Sequence, residues 1–300
     1  MGIERTLQPA SAGREDGMAE VGPGPGYTAT LAAVGRAIHA ESDRPLVTDD
    51  LALELAGEAG TALLAQLTGR LPEASRKALG LAFAVRTRFV EDAVEAAIRE
   101  GIRQYVILGA GLDSFAYRRA DLITHLKVFE VDRAASQAWK RRRLEEMGIA
   151  IPSTVAFVPV DIEAGDTRRR LIDAGFDFSS PAVVSAIALS QYLAQPALEK
   201  IFELVGSLAP GSRMVVTYVV PAAELSELAA SGLAWTMSQA EERGEPFLSL
   251  FGAREFDELM HRSGFSRVEQ AGPQELIRLY LADRPDAQLT GIERLVTAYV

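Results

Sequence analysis

No cysteine occurs in the 300 residues, which removes disulfides, thiolate nucleophiles and cysteine-ligated zinc in one step. Histidine is scarce: His39, His125 and His261 are the whole supply. Their spacing matches no metal-binding pair, so each reads as a structural side chain and no metal is expected. No apolar run approaches the ~18–20 residues that a membrane span needs, and no membrane partner is expected. Residues 1–26 are rich in Gly, Pro, Ala and acidic side chains, with no basic stretch leading into an apolar one. They read as a loose arm rather than a secretory signal, and the cytoplasm is the expected compartment. Neither G-x-x-x-x-G-K-[ST] nor G-x-S-x-G is present, which disfavours P-loop NTPases and serine hydrolases.

What is present suits an α/β protein. Hydrophobic residues make up 48% of the chain, enough for a sizeable core. The length allows one large domain or two small ones. Residues 27–300 show no linker or repeat, so one domain is the simpler reading. The net charge of -10 opposes a nucleic-acid backbone as partner. The one basic cluster, Lys140 to Arg143, has Glu145 and Glu146 beside it and reads as a solvated helix face.

Thr28–Glu41, Asp49–Leu67 and Ala78–Arg99 carry apolar residues at helical spacing and form a helical preface over 27–100. Short apolar runs then alternate with helical segments. Strands are expected at Tyr105–Leu108, Lys127–Val131, Thr154–Val160, Ala182–Leu189 and Arg213–Val219. Pro159 places the third of these away from the sheet centre. Helices are expected at Phe115–Ala120, Arg133–Met147, Thr167–Ala174 and Ala197–Leu208 between them. Such alternation implies parallel βαβ units in a doubly wound, Rossmann-like sheet. Ala222–Arg243 follows the fifth strand as a helical lid, set within a segment of about 221–250. A helix at Arg254–Ser263 and short strands near Ser266–Gln270 and Leu276–Leu281 would complete the fold.

The first strand runs into Gly109-Ala110-Gly111-Leu112-Asp113-Ser114. A G-x-G turn after a buried strand lets backbone approach a ligand closely. Ser114 stands where a dinucleotide fingerprint has its third glycine, which weakens a nicotinamide-cofactor reading. About 20 residues on, the second strand ends in Glu130-Val131-Asp132, where a carboxylate can accept from ribose hydroxyls. Asp132 can equally cap the following helix. The third strand ends in Asp161-Ile162, placed to meet an adenine edge or to cap a helix.

Together these blocks resemble the leucine carboxyl methyltransferase family, in its bacterial and actinobacterial branch of S-adenosylmethionine (SAM)-dependent O-methyltransferases. The likeness runs through Arg86 to Asp92, Gly101 to Arg118, Phe129 to Asp132 with Trp139-Lys140 and Arg143-Leu144, Phe157 to Asp161, Ala174 to Asp177, Ser190 to Leu193 and Gly244 to Phe247. It implies a mostly parallel class I methyltransferase sheet. It also implies that Arg86, or its neighbour Arg88, binds the methionine carboxylate of SAM, a task suited to a guanidinium. Gly109, with Ala110, Gly111, Asp113 and Leu189 around it, would lie against the cofactor. Asp132 and Glu130 would take the ribose, and Asp161 and Ile162 the adenine. Family members that methylate a protein C-terminus carry a glutamate where this chain has Ile187. That departure puts a protein acceptor in doubt and leaves no catalytic acid or base at that position.

Gln191 and Tyr192 follow the fourth strand, where open α/β sheets bind substrate, and could orient the acceptor. Trp235 and Met237 could line an apolar pocket. A carboxylate acceptor is already ionised at pH 7 and requires no general base; an alcohol or phenol would be helped by one. The acceptor is therefore expected to be the carboxylate of a small molecule or peptide, and an oligomer is possible. The rivals are an NAD(P)-dependent oxidoreductase, which lacks a Tyr-x-x-x-Lys pair here, and a non-catalytic scaffold on the same fold.

Overall fold

A computed structural model describes residues 25–300. The arm expected over residues 1–26 lies, up to residue 24, outside the described residues. Three helices come first: α1 (Tyr27–Ala40), α2 (Ala52–Arg70) and α3 (Glu73–Arg99), with α1 packed against both of the others. The alternating region follows as β1 (Gln104–Leu108), α4 (Phe115–Arg118), α5 (Ala120–Ile123), β2 (Lys127–Asp132), α6 (Ala134–Glu146), β3 (Val155–Pro159), α7 (Thr167–Asp173), β4 (Val183–Ala186), α8 (Gln195–Gly206) and β5 (Arg213–Val219). Then come α9 (Glu227–Glu241), α10 (Ala253–Arg262), β6 (Arg267–Ala271), α11 (Pro273–Tyr280) and β7 (Glu293–Tyr299).

The seven strands form one sheet in the order β3-β2-β1-β4-β5-β7-β6. The first five are parallel; β7 pairs antiparallel with both β5 and β6. β1, β4 and β5 are buried along their whole length, as expected of strands covered on both faces. Their side chains alternate between two cores. Val106 and Leu108 join Phe129, Val131 and Met214 beneath α8 and α10, whereas Tyr105 and Ile107 join Val128, Val183 and Val215 beneath α3. β3 lies at the sheet edge, where Pro159, with no N–H to donate, costs the ladder least.

The strand order reverses across β1 and β4, which run parallel: β2 and β3 extend one way from β1, and β4 and β5 the other. This is the switch point at which open α/β sheets leave a crevice beyond the strands' carboxyl ends.

Two expectations are corrected. The segment Leu276–Leu281 is not a strand; it falls on α11, and the last strand lies instead at Glu293–Tyr299. Pro273 occupies the first turn of α11 with Glu275 beside it, and both residue types favour a helix start. The basic cluster is not wholly a solvated face either. Lys140 is 1% exposed and its ammonium bonds the Glu130 carboxylate at 2.6 Å. Arg141 and Arg142 do face solvent.

Candidate functional site

A cavity of about 450 Å³ opens at the carboxyl ends of β1, β2 and β4, within the usual size range for ligand sites. Its floor is the glycine turn. Gly109 and Gly111 have φ of 68° and 45°, a region that side chains disfavour. A Cβ on Gly109 would come within 3.0 Å of Leu189, and one on Gly111 within 3.2 Å of Ala29. The N–H groups of Gly109 and Ala110 both donate to the Val131 carbonyl, fastening the turn to the end of β2.

Asp132 completes that fastening. Its carboxylate accepts from the Gly111 N–H at 2.5 Å and from the Arg133 N–H at 2.7 Å. The residue in the N-cap position of α6 is Arg133, so Asp132 belongs to the turn rather than to the helix cap. Asp113 accepts from the Phe115 N–H at 2.8 Å, and both carboxylates line the cavity. Asp161 and Ile162 line it as well; Asp161 also caps a short turn by accepting from the Glu163 N–H at 3.0 Å. Leu189, which packs beside Gly109, and Ile187 line the cavity too.

Glu130 is not brought to the cavity. It is fully buried, two residues before the strand end, where its side chain faces α6 rather than the crevice. Burial raises its carboxyl above the ordinary value, and the Lys140 ammonium offsets this incompletely.

Arg86 is buried on α3 and lines the cavity, with its guanidinium against the Glu293 carboxylate of β7 and over the Phe83 ring. Arg88 is half-exposed, pairs with Asp92 one turn on, and does not reach the cavity. Of the three histidines, none lines the site. His261 is half-exposed on α10, and His39 accepts from the Leu46 N–H at 2.8 Å.

Sequence reasoning missed the charged layer behind the turn. Asp49 is buried and accepts from Arg36 at 2.7 Å and from the Ser114 hydroxyl at 2.6 Å. Arg36 also donates to the Leu112 carbonyl, and Arg118 pairs with Glu91. Burial works to raise the Asp49 carboxyl, but Arg36, Ser114 and Arg118 together hold it below its usual value. Ser114 thus fills the third glycine position with a hydrogen bond that ties the turn to the helical preface. A spacing pattern cannot reveal this layer, because its members come from 36, 49, 91, 114 and 118 in sequence.

A second, apolar cavity of about 240 Å³ adjoins the first. Tyr192 and Arg86 stand on the wall common to both, and Gln191 and Trp235 line the second alone. Met237 lines neither. Burial pushes the Tyr192 phenol well above its usual range, with the neighbouring Gln191 amide opposing the rise, so the phenol keeps its proton at neutral pH. Among the described residues, no histidine or lysine lines either cavity. Ala188, on the shared wall, has φ of 52°.

The profile of the leucine carboxyl methyltransferase family matches residues 29–206. YktD of Bacillus subtilis, named as a proposed S-adenosyl-L-methionine-dependent methyltransferase, is 28% identical over 86% of this chain and 92% of its own length. A Mycobacterium avium protein of the same proposed description is 42% identical over 64% of this chain and 63% of its own length. Two solved structures share the fold. A DUF574 family protein of Streptomyces avermitilis superposes with a TM-score of 0.59 at 16% identity, covering 92% of this chain and 97% of the other. A proposed methyltransferase of Thermobifida fusca gives 0.54 at 18%, covering 96% and 99%.

Proposed function

This chain belongs to the leucine carboxyl methyltransferase family, and from that membership we propose a SAM-dependent O-methyltransferase whose acceptor is the carboxylate of a small molecule or peptide. The observation that carries the cofactor is the glycine turn clamped to Asp132 on the floor of the larger cavity. A Cβ on Gly109 or Gly111 would press on Leu189 or Ala29, so the turn needs its glycines to sit this close, and carboxylates from Asp113, Asp132 and Asp161 line the cavity. That charge suits a ligand bearing a sulfonium and an ammonium.

Bound in the larger cavity, SAM would supply an electrophilic methyl group for the acceptor oxygen. The chain's contribution is placement, which can supply much of such a rate enhancement. Asp132 accepts from the ribose hydroxyls. Gly109, Ala110, Gly111 and Asp113 present backbone and carboxylate to the sugar and methionine portions. Asp161 and Ile162 hold the adenine edge, and Leu189 packs against the cofactor beside Gly109. Arg86 takes the methionine carboxylate: a guanidinium has five N–H donors, and Glu293 occupies part of that set. Tyr192 and Gln191 orient the acceptor.

The carboxylate acceptor is supported by what lines the site. A carboxylate arrives ionised, and the Tyr192 phenol, held protonated, serves it as a hydrogen-bond donor rather than as a base. A soluble enzyme of the cytoplasm is the simplest setting for this chemistry; among the described residues no helix is long and apolar enough to cross a membrane.

Calorimetric titration with SAM and S-adenosylhomocysteine, using NADH and NADPH as controls, tests the reading. Micromolar binding is expected. Asp132→Ala, losing charged hydrogen bonds of roughly 1.5–3 kcal/mol each, is expected to weaken it at least about tenfold. Binding of NADH in place of SAM, or an unchanged Asp132→Ala titration, refutes the assignment.

A further inference from the structure

The smaller cavity has a lining unlike the larger one. Leu31 of α1, Leu67 of α2, Leu79 and Ala82 of α3, Leu233 of α9 and Leu295 of β7 make it apolar. Trp235 lies at its rim, 49% exposed. An apolar cavity of about 150 Å³ is large enough for benzene; by that scale 240 Å³ holds an apolar body of about ten non-hydrogen atoms.

One polar group on this wall is unfinished. Gln191 is 3% exposed, and its buried Oε1 has no hydrogen-bond partner among the described residues. Its amide lies beside the Tyr192 hydroxyl. An orphaned buried acceptor carries a desolvation cost that a suitable donor removes. A carboxylate cannot be that donor, because it only accepts. The protonated Tyr192 hydroxyl can donate to a carboxylate, and Gln191 Oε1 can accept from an O–H or N–H beside it.

We propose that the smaller cavity is the acceptor's compartment, and that the acceptor is a carboxylic acid with an apolar body of up to about ten non-hydrogen atoms and a hydrogen-bond donor next to its carboxylate. The apolar body fills the chamber between α3 and α9. The carboxylate lies at the shared wall by Tyr192, facing the larger cavity, and the adjacent donor satisfies Gln191. This rests on the methyltransferase reading above, and it narrows the acceptor from any carboxylate to one chemical class.

The test uses the full chain saturated with S-adenosylhomocysteine, so that acceptor affinity is read without turnover. Calorimetry compares 3-phenyllactate, which has both body and donor, with 3-phenylpropanoate, which lacks the donor, and lactate, which lacks the body. Burial of the phenyl group is expected to make 3-phenyllactate bind at least about 30-fold more tightly than lactate. Loss of the hydroxyl is expected to cost 3-phenylpropanoate about fivefold or more. Ala82→Phe and Thr236→Phe each fill the chamber from a different helix. Each is expected to weaken 3-phenyllactate about tenfold or more by overpacking, while S-adenosylhomocysteine affinity stays within about twofold. Retained S-adenosylhomocysteine affinity shows that a variant is folded. If lactate or 3-phenylpropanoate matches 3-phenyllactate, or if both folded variants bind it unchanged, the proposal is overturned. A failure to bind S-adenosylhomocysteine at all in the unaltered chain refutes the cofactor reading instead.

Discussion

Replacing Lys140 by Met removes the partner of Glu130 from a place where neither group meets water. Both side chains are 1% exposed and their charged atoms lie 2.6 Å apart. Breaking such a pair from one side costs about 3–5 kcal/mol, because the remaining charge is buried and uncompensated. With an unfolding entropy of roughly 0.6 kcal/mol/K for a chain this long, a loss of 4 kcal/mol lowers Tm by about 7 °C. The loss has a direction in pH. Glu130 titrates near 4.5 when exposed and higher when buried, and without Lys140 its folded value rises further. Between those two values the native state holds one more proton than the unfolded state, so the variant loses about 1.4 kcal/mol of stability per unit rise in pH. Urea unfolding at pH 5 and pH 8 measures this, with Lys200→Met on the surface as control. Glu130→Leu combined with Lys140→Met is expected to regain most of the loss and to bind S-adenosylhomocysteine as the unaltered chain does. Lys140→Met as stable as the control would refute the burial argument. A refolded double variant without cofactor affinity would return Glu130 to the ligand set.

His39 gives a second pH dependence. Burial, with the Arg284 charge, lowers its value to about 4 from 6.5, so the native ring stays neutral where the unfolded ring takes up a proton. Stability is therefore full above pH 6.5 and is lost as pH falls toward 4, by at most about 3.4 kcal/mol; His39→Gln is expected to flatten a thermal-melt series across that range. Ala188→Gly removes a side chain from a left-handed backbone position and is expected to gain about 1 kcal/mol in urea unfolding, unless the shared wall relaxes away from that conformation.

Most of the sheet was legible because its strands are short, apolar and bounded by turns. Arg213–Val219 is bounded in the structure as it is in the sequence. The failures have specific physical causes. Residues 293–299 begin with Glu-Arg and interrupt their short apolar run with Thr297, a weaker signal than the apolar Leu276–Leu281 stretch, yet pairing between β5 and β6 makes them a strand. The stretch that looked more apolar obeys Pro273 and coils. Asp132 and Glu130 carry the same charge two residues apart, but only a residue at the strand's end reaches the crevice. Lys140 was hidden within a charge run, because its partner sits on another element and no local pattern encodes that contact. The glycine turn and its carboxylate were legible since both ends of that interaction sit at fixed offsets along two consecutive βα units.

The position of β7 also sets a timetable for synthesis. It pairs directly with β5, yet Glu293 follows Val219 by more than seventy residues in the chain. At about 5–20 residues per second, a ribosome takes roughly 4–15 s to make that interval. For that time the nascent chain carries Arg213–Val219 as a bare, apolar sheet edge, the kind that recruits other strands. Glu293, which faces Arg86 on the cavity wall, arrives with the strand that covers it. Slow synthesis over residues 220–292, or scarce chaperone, is therefore expected to send the chain into aggregates before it can bind any ligand.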